Sequence, residues 1–119
     1  MDDLTDKARK LGSLLAEHNG KDVVVIDLRA LASWTDFFII VTVTSGTHRS
    51  GLERLIKEWT VEAGVETRRG GAKRTKDENW SLADLGSIVV HLMNSQAREF
   101  YELENLWSEG LITRIGNIE

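Results

Sequence analysis

Thr44-Ser45-Gly46-Thr47 lies between an apolar run and a helical repeat, where backbone N–H groups and a helix dipole can cradle a phosphate. The chain nevertheless holds no Walker pattern and no GxGxxG. Phosphoryl or nucleotidyl transfer also requires carboxylates close enough to share a metal. No Asp-x-Asp pair follows this loop; Asp84 stands alone, and Asp77-Glu78 falls in a loop. His18, His48 and His91 show neither i, i+4 ligand spacing nor HExxH. Ser87, His91 and Asp84 supply the residue types of a hydrolytic triad, but no GxSxG elbow accompanies them. His91 therefore reads as a hydrogen-bonded structural histidine, and Ser45 as an ordinary strand-to-helix turn. With no cysteine, thiol catalysis, disulfides and zinc ribbons are excluded. The residues point away from an enzyme, and no cofactor or metal is expected. The alternative is a nucleotide-binding or nucleotidyl-transfer protein using Ser45, Gly46 and Asp84.

Recognition chemistry is better represented. Of the four tryptophans, Trp59 and Trp107 fall near helical apolar stripes, Trp34 at a turn and Trp80 at the start of a strand. At Trp80 an indole can close the core or anchor a partner, since one such side chain buries much area at low entropy cost. The net charge is −4, but Arg68, Arg69, Lys73, Arg74 and Lys76 crowd residues 68–76 without an acid. The chain is an acidic body with one basic segment, not a general nucleic-acid binder. The segment reads as a solvated loop that could touch phosphate.

The elements that must position these groups follow from periodicity. Leu4, Ala8, Leu11 and Leu15 mark an amphipathic helix that Asn19-Gly20 ends, Gly20 being free to take a positive φ. Val23–Ile26 and Phe37–Val43 read as strands buried on both faces. Leu52, Leu55, Ile56 and Trp59 form the stripe of a second helix, capped by Thr47 or Ser50 and stopped at Gly64. Val65–Arg68 reads as a short strand, Trp80–Asp84 as a strand with one packed face, and Ser87–Met93 as a strong strand. Residues 95–107 form a last helix with Phe100, Leu103 and Leu106 or Trp107 inward, and Leu111–Ile115 can dock or pair. The order α-β-β-α-β-β-β-α indicates an α/β fold with a mixed sheet of about five strands. Three helices would cover one face of it well and leave the other short of cover.

At 119 residues the chain is expected to be a single domain over 1–119. No apolar run reaches membrane-spanning length, and the acidic N-terminus has no signal-peptide order. A cytoplasmic protein without a membrane partner is expected.

One arrangement is familiar. Trp80-Ser-Leu-Ala-Asp84-Leu85-Gly86-Ser-Ile-Val-Val-His91 is followed by Arg98-Glu99-Phe100-Tyr101-Glu102-Leu103-Glu-Asn-Leu-Trp107. Upstream, Asp27-Leu28 leads through Thr35-Asp36-Phe37-Phe38-Ile39-Ile40 to Thr44-Ser45. Over about residues 4–107 this resembles the bacterial ribosomal silencing factor, or Iojap, family. Two departures are Ser87, where the family usually has Asp, and the unusually basic loop at 68–79. The resemblance implies a nucleotidyltransferase-like fold without its catalytic carboxylates. It implies binding to the fourteenth protein of the large ribosomal subunit, blocking of subunit joining, and repression of translation under nutrient limitation. Trp80, Leu82, Leu85 and Met93 are the expected apolar contacts, and Asp84, Glu99 and Glu102 the expected acidic ones. The 68–76 segment would meet ribosomal RNA peripherally. A homodimer of the free protein would shield the same face.

Overall fold

A computed structural model describes residues 3–30, 35–64, 72–74, 79–103 and 110–115. Helix α1 (Asp3–Glu17) buries Ala8, Leu11 and Leu15, one stripe at helical spacing. It closes in a Schellman motif, with Gly20 N–H donating to the Leu15 carbonyl at 2.8 Å and Asn19 N–H to that of Ala16 at 3.1 Å. Asn19, not Gly20, takes the left-handed conformation, at φ 74°. Gly20 is needed for space: a Cβ there would lie 2.7 Å from the Leu15 carbonyl oxygen and 2.8 Å from Val41 Cγ1.

Strands β1 (Lys21–Asp27) and β2 (Phe37–Thr42) pair antiparallel. Helix α2 (Gly46–Ala63) follows, and its N-cap is Ser45 rather than Thr47 or Ser50; Ser45 Oγ accepts from His48 N–H at 3.0 Å. Gly64, at φ 70°, closes this helix. Strand β3 (Ala72–Arg74) lies inside the basic segment that reads as a solvated loop, and pairs antiparallel with β4 (Trp80–Asp84). The expected strand at Val65–Arg68 lies outside the described residues. Strand β5 (Ile88–Met93) lies antiparallel to β4 and parallel to β2.

Helix α3 is shorter than the periodicity predicts. It runs Ser95–Tyr101, and Glu102 at φ 47° ends it; residues 104–109 lie outside the described set. Leu111–Ile115 pairs with β1 as β6, giving a six-stranded mixed sheet in the order β3-β4-β5-β2-β1-β6.

Both sheet faces carry a core. Ile88, Val90 and Leu92 pack with Leu11, Leu15, Leu52 and Ile56 from α1 and α2. On the other face Val24, Ile26, Phe38, Ile40, Val89 and Met93 pack with Ala97 of α3 and Leu103. Every residue of β2 and of β5 is buried, so the second face is better covered than a count of helices implies.

Candidate functional site

The register sets the site. Trp80 pairs with Met93, Leu82 with His91 and Asp84 with Val89, so these side chains share the α3 face of the sheet. Helix α3 is capped at its start and tied over that face at two points. Asn94 Oδ1 caps it by accepting from Ala97 N–H at 2.9 Å, Asn94 N–H donates to the Asn79 carbonyl at 3.0 Å, and Arg98 Nη1 donates to Thr42 Oγ1 at 2.8 Å. The second bond ties the start of α3 to the residue before Trp80.

A file of five aromatic rings runs from the interior to solvent. Phe38 meets His91 edge-on at 4.4 Å between centroids, and His91 lies 5.8 Å from Trp80. Trp80 lies 4.6 Å from Tyr101, which meets Phe100 edge-on at 4.9 Å. These spacings suit attractive aromatic pairs. Exposure rises along the file: Phe38 and His91 are buried, Trp80 and Tyr101 half-buried, and Phe100 is 78% exposed. Asn79, Gln96, Ala97, Glu99 and Phe100 line an open groove of about 520 Å³ at the outer end. Glu99 in its lining and Glu102 at the C-cap of α3 are exposed.

The candidate contacts therefore divide. Trp80, Leu82 and Asp84 are half-exposed on one face of the sheet, and Glu99 and Glu102 are exposed on and just after the helix that packs on that face. Asp84 also shapes its turn, because its Oδ1 accepts from Gly86 N–H at 2.9 Å while Gly86 sits at φ 86°. Met93 and Leu85 are corrected. Met93 is fully buried beneath α3, and Leu85 is buried in the core of the opposite face, so neither offers a surface to a partner. Phe100 is corrected in the other direction: periodicity assigns it to the core, and it is exposed. Adjacent helix residues are about 100° apart, so Phe100 and Tyr101 cannot both face the sheet. That adjacent aromatic pair was the signal available in the sequence. Of the tryptophans, Trp59 packs against the first core, while Trp34 and Trp107 lie outside the described residues.

The enzyme-like constellations do not assemble. His91 Nδ1 accepts the Trp80 indole N–H at 3.1 Å, so the proton of the neutral ring resides on Nε2. Burial lowers the His91 pKa to about 3. Ser87 is exposed at the turn, whereas His91 is buried between Phe38 and Trp80. At the α2 N-terminus, Ser45 Oγ is engaged in capping, and His48 Nδ1 accepts from Thr44 N–H at 3.0 Å. No cluster of three metal-ligating side chains occurs among the described residues. No helix among them is long and apolar enough to cross a membrane.

Comparison with known proteins agrees with this arrangement. The model of the family described as "Ribosomal silencing factor during starvation" matches residues 1–119. A Treponema pallidum ribosomal silencing factor is 36% identical over 107 residues, which span 90% of this chain and 95% of that one. A Haemophilus influenzae ribosomal silencing factor is 43% identical over 90 residues, spanning 75% and 85% of the two chains. A crystal structure of a Chromobacterium violaceum protein superposes with a TM-score of 0.79 at 27% identity, covering 90% of this chain and 88% of that one. The similarity thus runs along nearly the whole length, and the chain belongs to the family of ribosomal silencing factors during starvation.

Proposed function

We propose that this protein binds the large ribosomal subunit through its fourteenth protein, and by its bulk blocks joining with the small subunit, repressing translation under nutrient limitation in the cytoplasm. Such a blocker needs a surface and no catalytic group. The observation that carries the reading is Phe100, 78% exposed at the end of a ring file anchored in the core. A large aromatic held out by a rigid base is the form of an interface hot spot. Glu99 beside it, Glu102 just after α3 and Asp84 on the same sheet face favour a basic partner, mainly by speeding encounter and fixing orientation.

Two accessory contacts extend the proposal. The basic segment 68–76 touches ribosomal RNA, and its described part, Ala72–Arg74, is an edge strand of the sheet with Lys73 in register with Leu82. In the free protein a second copy covers the aromatic patch. Co-sedimentation with isolated subunits tests the main reading. The wild type should travel with the large subunit and not the small one. Trp80→Ala should weaken this by roughly thirtyfold, the scale of a hot-spot truncation, while the chain still melts cooperatively. Absence of large-subunit binding at low salt would refute the reading, and collapse of the Trp80→Ala fold would assign Trp80 to the core.

A further inference from the structure

His91 occupies the middle of the sheet, on β5 between β2 and β4, and is 4% exposed. It sits diagonally across from Trp80, since its register partner is Leu82. Its Nδ1 accepts the indole N–H, and its Nε2 is buried with no hydrogen-bond partner among the described residues. Burying an imidazole with one nitrogen unmatched is unfavourable relative to an aliphatic side chain of similar size. Packing alone therefore gives no reason for a histidine at this position. What the imidazole adds is an acceptor, fixed by the edge-on contact with Phe38 and aimed at the Trp80 indole. Tyr101 closes on the indole from α3, 4.6 Å away. The indole is thus gripped between β5 and α3, with its donor turned inward and the rest of the ring half-exposed.

We propose that His91 is a positioning residue for partner binding: by accepting the Trp80 indole N–H it holds that ring in one orientation before the partner arrives. This rests on the reading above that Trp80 faces the large subunit. Ordering a large side chain in advance removes part of the entropic loss of association. His91 touches no partner itself, and acts through Trp80.

The test is a double-mutant cycle with two readouts. His91→Leu removes the acceptor, His91→Asn returns an oxygen near the position of Nδ1, and Trp80→Phe keeps a ring but removes the N–H. Large-subunit affinity is measured by co-sedimentation, and the Trp80 indole N–H is followed by NMR in the free protein, its resonance identified by its loss in Trp80→Phe. His91→Leu should lower affinity by roughly three- to tenfold, the scale of one hydrogen bond. It should also shift the indole resonance and speed its exchange with solvent. His91→Asn should recover most of both, and in the Trp80→Phe background His91→Leu should cost no further affinity. Equal losses in both backgrounds, or an Asn variant no better than Leu, would overturn the positioning role while leaving the functional reading intact. Failure of the wild type to bind would overturn that reading and this inference together. If His91→Leu does not fold, exchange in the wild type decides: an indole N–H as labile as that of an exposed tryptophan would overturn the proposal.

Discussion

Acidifying the protein from pH 7 to pH 5 should remove about 2 kcal/mol of folding stability through His91 alone. The ring is buried, its Nδ1 is occupied by the indole N–H, and burial lowers its pKa from 6.5 to about 3. The folded pKa lies below the unfolded one, so between about pH 6.5 and pH 3 the unfolded chain binds a proton that the folded chain refuses. Stability is therefore full above that window and falls as the pH drops through it. At pH 5 the unfolded histidine is about 1.5 pH units below its pKa, which at about 1.4 kcal/mol per unit gives the stated loss. Protonating Nδ1 would also set two donors against each other at Trp80, so the titration and the loss of the indole hydrogen bond are one event. Urea unfolding at pH 7, 6 and 5 measures the effect, which for a domain of this size is a midpoint shift of roughly 1 M. Other groups titrate in the same range, so the quantity of interest is the wild-type shift minus that of His91→Asn. Parallel pH profiles for the two proteins would refute the reasoning.

Three further substitutions separate surface from core. Phe100→Ser should leave urea stability within about 0.5 kcal/mol, because the ring is largely exposed, yet lower large-subunit affinity at least tenfold in co-sedimentation. Met93→Ala should do the opposite, destabilising the fold by about 2–4 kcal/mol in urea unfolding, since it empties a fully buried site beneath α3. Gly20→Ala should destabilise by about 2 kcal/mol or more in the same assay, because its Cβ would press on the fixed backbone carbonyl of Leu15 as well as on Val41.

Much of the fold was legible because its central strands have plain patterns. The continuous apolar runs in β1 and β2 match strands buried on both sides, and the alternation in β4 matches a strand packed on one; in β5 only the even positions announced a core face, and His91 hid the burial of the other. The short strand Ala72–Arg74 was not legible: Ala-Lys-Arg carries no β preference, and pairing with β4 holds it in place. The end of α3 was hidden for a similar reason. Apolar spacing continues to Leu103, but Glu102 enters the left-handed region, which residue type alone does not announce for a glutamate.

At the site, the sequence placed Trp80, Leu82 and Asp84 on one face and could not show that α3 and Leu103 seal Met93 beneath them. Counting helices against strands led to an open second face. Within α3 the 100° step between neighbours turns Tyr101 onto Trp80 and Phe100 out to solvent. His91 was correctly read as a hydrogen-bonded structural residue, but its partner depended on a diagonal across two strands.

The most direct test of the central claim is subunit joining. Isolated large and small subunits are mixed at raised magnesium, with and without the purified protein, and joined particles are resolved on a sucrose gradient. The account predicts fewer joined particles as wild-type protein is added, with the protein itself in the large-subunit fraction. Phe100→Ser should restore joining. Undiminished joining at a protein concentration that saturates the large subunit would contradict it.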